Sequence, residues 1–464
     1  MHIRPVTVVG AVAAVTVGLT GLPAVTSAAT AAAPAKAGDF NGDGRRDLAL
    51  GSPAGTVGSV VNTGFVTVVY GGAAGPDTAK RQVVSQNSAG IPGGSEEYDG
   101  FGSALASADF DRDGYADLAI GAPGEDGGGG PLGGGRVTLV YGGPGGLSTR
   151  AVEITQGGGF GTSLSAGDFD GNGTPDLAVG ANGAIWVYRG LGTGSLAGTR
   201  TQVGGSDGEN ASTMTTAADY TGDGIADLAA SVYWSSISPD HEFRRFVVYQ
   251  GSASGLASQP IFSEETSYAD LAGGDFNGDG KADLVTGGNN EITVRLATGS
   301  GFGAARVIDQ ATEGVPGTDE PVDDFGDALS TGDVNGDGRA DLAIGAPGEA
   351  VGTVLSAGAV TLLYGAGDGL TTTGAQMFGQ DTAGVPGTAE RSDRFGDDLA
   401  LADVNGDGRA DLTAGAAGEN GYEGAVWVFT GSSAGISVAT GTAFNPGTLG
   451  IAGRTAELGR VLLR

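Results

Sequence analysis

Asp39-Phe40-Asn41-Gly42-Asp43-Gly44-Arg45-Arg46-Asp47-Leu48 reads as a turn built to wrap a cation. Asp39, Asn41 and Asp43 alternate along the chain, Gly44 permits a sharp turn, the carbonyl of Arg45 can point inward and Asp47 closes the loop. Hard oxygen donors at alternate positions, with no nitrogen or sulfur ligand, select calcium over zinc or copper. An EF-hand would place a bidentate Glu three residues after Asp47, but that position holds Leu50, so this loop is of another kind.

The pattern recurs six more times, beginning at Asp109, Asp168, Asp219, Asp275, Asp333 and Asp403, at spacings between 51 and 70 residues. One Asp-rich turn could be merely solvated. Seven in register cannot be chance, and a fixed period of this size signals a repeat architecture. Around each loop stands a larger unit. Phe-Gly precedes several loops by eight residues (Phe101-Gly102, Phe160-Gly161, Phe325-Gly326, Phe395-Gly396). Apolar runs such as Leu118-Ala119-Ile120-Gly121 follow, then Gly-Ala-Pro or a relative, as at Gly345-Ala346-Pro347. An alternating run such as Val137-Thr138-Leu139-Val140-Tyr141 and a last strand such as Ala151-Val152-Glu153-Ile154 complete the unit. Four short antiparallel strands per unit, seven times over, predict an all-β fold: a seven-bladed β-propeller.

Phe-Gly, the nine-residue loop and Gly-Ala-Pro together resemble FG-GAP repeats, as found in the head of integrin α-subunits and in exported bacterial proteins. The resemblance implies calcium in the hairpin between the first and second strands of each blade, held by positions 1, 3, 5 and 9 and by the position-7 carbonyl. Carried over, the ligands are Asp39, Asn41, Asp43, Arg45 and Asp47 in the first loop, and Asp109, Asp111, Asp113, Tyr115 and Asp117 in the second. The third has Asp168, Asp170, Asn172, Thr174 and Asp176; the fourth has Asp219, Thr221, Asp223, Ile225 and Asp227. The fifth has Asp275, Asn277, Asp279, Lys281 and Asp283; the sixth, Asp333, Asn335, Asp337, Arg339 and Asp341; the seventh, Asp403, Asn405, Asp407, Arg409 and Asp411. Up to seven Ca2+ ions are expected. The fourth copy departs from the pattern, with Thr221 in place of Asn or Asp, Ala211-Ser212 in place of Phe-Gly, and no Gly-Ala-Pro around Ser231.

The first loop has no room before it for its inner strand. Leu458-Gly459-Arg460-Val461-Leu462 overlays Phe101-Gly102-Ser103-Ala104-Leu105, so the C-terminal strand is expected to complete blade one and close the ring. Closure removes the exposed sheet edges that invite association, and a monomer is expected. Residues 1–29 read as a secretory signal, with a weakly positive start, an apolar run from Val6 to Val25 and small residues around Ala28; residues 30–37 read as a spacer and 38–464 as the propeller. Export with signal cleavage leaves no later membrane span and a secreted, extracellular protein. The absence of cysteine removes disulfides as cross-links and thiols as nucleophiles.

Acidic residues outnumber basic ones by 54 to 23, for a net charge of −31, which argues against nucleic acid and anionic lipid as partners. Only two histidines occur, His2 in the signal and His241, so proton-transfer chemistry has thin support. Gly431-Ser432-Ser433-Ala434-Gly435 matches G-x-S-x-G, but it follows a strand at a blade turn with no helix after it. The reading favoured is an exported calcium-binding module for adhesion to a protein or glycan. The alternatives are a calcium-dependent glycan-active enzyme, a lyase or hydrolase, and an architectural surface protein. Strand alternation puts the metal hairpins on one face and the longer, more varied loops on the other. On that second face the fourth unit offers Tyr233, Trp234, His241, Arg244 and Arg245 as candidate ligand contacts, in what reads as an irregular loop.

Overall fold

The computed structural model describes residues 35–464, apart from 126–133, 157, 182–183, 194–199, 204–212, 236–241, 267–269 and 452–455. The signal and most of the spacer read from the sequence lie outside the described residues. Seven four-stranded antiparallel sheets form a ring, and six of them take their strands in chain order. Blade 2 is typical: Ala104–Ala108 is innermost, then Asp117–Ala122, Arg136–Val140 and, outermost, Ala151–Thr155. The outermost strands are half-exposed, whereas the second strands are buried along their length.

Blade 1 is the exception, and its topology is the expected closure. Val461–Leu462 supplies its innermost strand, beside Leu48–Ser52, Phe65–Tyr70 and Asp77–Val84. Leu462 pairs with Leu50 and Val461 with Gly51, and Leu463 N donates to Ala49 O at 3.0 Å. Leu458 stands where other blades have the Phe of Phe-Gly, and like Phe101, Phe160, Phe325 and Phe395 it is fully buried.

Packing between blades explains why Phe-Gly and Gly-Ala-Pro occur together. The glycine that ends the second strand lies against the Phe-Gly glycine of the next blade. A Cβ on Gly121 would meet Gly161 O at 2.1 Å, one on Gly345 would meet Gly396 O at 2.2 Å, and one on Gly415 would meet Gly459 O at 1.9 Å. Only glycine permits backbones this close. In blade 4 this place is taken by Ser231, which is the structural content of the weak motif there. The second residue of each Asp-rich loop packs between its own blade and the next: Phe40, Phe110, Phe169, Tyr220, Phe276, Val334 and Val404 are all buried there.

Candidate metal centres and ligand face

Six of the loops join the first and second strands of their blade, as Asp109 to Ala116 does between Ala104–Ala108 and Asp117–Ala122, while loop 1 leads into Leu48–Ser52, whose inner neighbour Val461–Leu462 comes from the other end of the chain. Backbone amides fold the loop around its first carboxylate. In loop 1 Asp39 Oδ1 accepts from Asp43 N at 3.0 Å and Oδ2 from Gly44 N at 2.8 Å, and the same pair of contacts recurs in the other six. The fourth position demands a positive φ, which glycine adopts without strain. Loop 2 alone places a side chain there, Arg112 at φ 57°.

The closing Asp has a second task that its spacing in sequence does not reveal. Asp47 Oδ2 accepts from Phe40 N within the loop, and Oδ1 accepts from Gly71 N after the third strand, both at 2.9 Å. Asp117, Asp227, Asp283, Asp341 and Asp411 repeat the double contact. These carboxyls are almost wholly buried. Burial pushes them up, to about 7 for Asp47 and Asp176, about 8 for Asp117 and about 6 for the other four, with neighbouring loop carboxylates adding to the rise and most backbone amides opposing it.

The loops are also joined to one another. The position-8 amide of one donates to the position-1 carbonyl of the preceding one: Ala116 to Asp39, Ala226 to Asp168, Ala282 to Asp219, Ala340 to Asp275, Ala410 to Asp333 and Arg46 to Asp403, at 2.8–3.1 Å. The seventh link is interrupted because Pro175 holds that position in loop 3 and has no N–H to give.

The donor set fits a hard divalent cation. Carboxylate oxygens of Asp109, Asp111 and Asp117 lie within 4.8 Å of one another, as do those of Asp168, Asp170 and Asp176. In each group one buried oxygen, Asp111 Oδ1 and Asp176 Oδ1, has no hydrogen-bond partner. Arg150 Nη1 lies 2.6 Å from Asp111 Oδ2 and Arg189 Nη1 3.6 Å from Asp170 Oδ2, so each group sets one guanidinium against three carboxylates, and the remaining negative charge favours a cation among them. In loop 4 Thr221 Oγ1 instead donates to Asp219 Oδ1 at 3.4 Å, so the substituted position turns toward its own loop.

The expected irregular ligand loop of blade 4 is corrected by the structure. Tyr233 and Trp234 lie on a regular strand, Asp227–Ser235, and Arg244 and Arg245 on the next, Glu242–Tyr249. Tyr233 pairs with Arg244, Trp234 with Phe243 and Val232 with Arg245. Aromatic and β-branched residues on both sides extend the ladder well past the usual strand end. Arg245 Nη2 also stands 3.6 Å from Glu265 Oε1, on the outermost strand. His241 lies outside the described residues. Ser433 sits in the turn between strands Ala425–Ser432 and Gly435–Phe444, a hairpin rather than the strand-to-helix turn of a nucleophile elbow. Among the described residues no helix is long and apolar enough to cross a membrane.

The FG-GAP repeat signature matches residues 33–69, 101–140, 267–308, 325–363 and 395–429, and that of the FG-GAP-like repeat matches 168–230. Integrin alpha-IIb of Mus musculus is 38% identical over 164 residues, covering 32% of this chain and 15% of the integrin. Phosphatidylinositol-glycan-specific phospholipase D of Bos taurus is 39% identical over 120 residues, 21% of this chain and 14% of that protein. The chain thus spans about one seventh of the length of these relatives. A lectin of Agrocybe aegerita, described as recognising non-reducing terminal N-acetylglucosamine, superposes with a TM-score of 0.41 at 16% identity, covering 75% of this chain and 80% of the lectin. With repeat signatures over more than half of its length, and the Phe-Gly and Gly-Ala-Pro glycines in contact from blade to blade, the chain belongs to the FG-GAP repeat family.

Proposed function

We propose that this protein is an exported, calcium-loaded propeller that acts as a binding module for a protein or glycan ligand. The observation that carries this reading is the ring of loops: closing carboxylates bound to backbone amides and loops bonded to their neighbours, which is the arrangement of ions that brace a scaffold. Calcium is the ion of choice because every donor is oxygen and the loops are open to water on one side. Function then falls to the opposite face, where the second-to-third-strand connections vary from blade to blade on a rigid ring. The extended blade-4 hairpin is the favoured contact, through Tyr233, Trp234, His241, Arg244 and Arg245. Such aromatic and arginine residues are rich in binding energy wherever they are desolvated.

The test is a glycan and protein array probed with the full chain in calcium and in EDTA. Capture that requires calcium and is lost in Trp234→Ala/Arg245→Ala, at unchanged melting temperature, is the expected result. Full capture by the double variant would remove the hairpin from the reading, and equal melting in calcium and EDTA would remove the bracing role of the ions.

A further inference from the structure

Three blade junctions carry, on the face opposite the metal loops, a second acidic cluster that lies outside the D-x-D loops. At the junction of blades 5 and 6, Gln310 Nε2 donates to Glu349 Oε2 at 2.7 Å, and Glu320 N donates to Asp323 Oδ2 at 2.9 Å. Carboxylate oxygens of Glu320, Asp323 and Glu349 lie within 4.8 Å of one another. Asp323, Glu349 and Gln310 are buried, Gln310 to 4% exposure, and Gln310 Oε1 has no hydrogen-bond partner. None of the ion pairs among the described residues reaches these three carboxylates.

The junction of blades 6 and 7 repeats the hydrogen bonds, but not the approach of three carboxylate oxygens to within 4.8 Å, and Glu419 Oε1 also accepts from Asn420 Nδ2 at 3.1 Å. Gln380 Nε2 donates to Glu419 Oε2 at 2.6 Å, Glu390 N to Asp393 Oδ2 at 2.6 Å, and Gln380 Oε1 is again buried and unpartnered. In the junction of blades 1 and 2, Gln86 bonds Glu125, and Glu96 N donates to Asp99 Oδ2 at 2.6 Å. The Gln and Glu are 39 residues apart in all three copies.

The orphaned carboxamide oxygen is common to all three copies, Gln86 Oε1 included, and what separates the first copy from the other two is charge. In the first, Arg136 Nη1 lies 3.2 Å from Glu125 Oε1. Arg136 pairs with Ala122 at the start of the third strand, and the register-equivalent pairs in blades 6 and 7 are Ala359 with Ala346 and Ala425 with Ala416. A guanidinium therefore neutralises one cluster where the other two have only a methyl group.

We propose that the blade 5–6 and 6–7 junctions each bind a hard divalent cation through their two Glu, their Asp and the Gln carbonyl oxygen, and that Arg136 takes the cation's place at the blade 1–2 junction. A half-turn of the carboxamide exchanges Nε2 for Oε1 with no change of shape, so the orphaned oxygen becomes a ligand as the carboxylates turn to the ion. These sites clamp adjacent blades together from the side opposite the loop ring.

Bound calcium in the full chain, counted after equilibrium dialysis, tests this. Glu349→Gln keeps the shape and should lose one ion, and Glu349→Gln/Glu419→Gln two, with the sheet signal in circular dichroism retained. Arg136→Ala should gain one. A folded Glu349→Gln with the parental count overturns the proposal, including the case in which it melts higher in EDTA, which would mark a proton-sharing carboxyl pair. If Glu349→Gln fails to fold, Arg136→Ala decides: one extra ion supports the proposal and an unchanged count overturns it.

Discussion

The closing Asp of each loop stores the chemistry of the site in a single titration. Asp47, Asp117 and Asp176 are held up at about 7, 8 and 7 mainly by burial, against an ordinary value near 3.9 in the unfolded chain. In chelated protein the native state keeps protons that the unfolded chain has released between about pH 4 and 7, so stability is present at low pH and is lost as pH rises through that window. A bound cation displaces these protons, so its affinity rises over the same range. Melting temperature should therefore fall from pH 5 to pH 8 in EDTA and rise over the same interval in millimolar calcium. Parallel profiles would show that the closing carboxylates do not exchange protons for metal.

At the scale of the strand, the repeat is a device for stacking sheets at backbone contact. Gly345, at the end of strand Asp341–Ala346, leaves no space for a methyl group against Gly396 O. Gly345→Ala should force blades 6 and 7 apart at a cost of about 1–3 kcal/mol, the range for overpacked cores, and lower the melting temperature. Addition of a Cβ with no loss of stability would mean that the blades slide more freely than the contact implies. The Phe-Gly and Gly-Ala-Pro signals were legible as a spacing, but the sequence did not say that the two glycines meet. The partner of Gly345 is supplied by the neighbouring blade, 51 residues further on.

Closure of the whole ring depends on few residues. Besides the short strand Val461–Leu462, Arg464 reaches across the inner rim, Nη1 to both oxygens of Asp270 in blade 5 at 2.9 Å and Nη2 to Asp398 Oδ1 in blade 7 at 2.6 Å. Asp270 and Asp398 are buried, and each also accepts from an inner-strand amide, Leu329 N and Leu462 N, at 2.8 Å. Arg464→Ala would strand two buried carboxylates, an effect of about 3 kcal/mol discounted for the partial exposure of the arginine. Melting temperature should drop by several degrees, with recovery in the triple variant that adds Asp270→Asn and Asp398→Asn. A single variant that melts like the parent would assign closure to the strand alone.

Sequence by itself determined the seven units, the oxygen-only loops and the strand that closes blade 1, because donor spacing, turn glycines and strand alternation are local and repeat in register. It also located the aromatic and basic residues of blade 4, but took them for a loop, since a strand that outruns its neighbours has no local signal beyond β-propensity. Only the tertiary structure decided that six of the seven closing Asp residues bind the turn after the third strand, that the loops link amide to carbonyl until Pro175 interrupts them, and that Gln, Asp and two Glu converge at three junctions. Those contacts join residues from different strands or different blades. They exist only once the blades have stacked, so no window of sequence contains them.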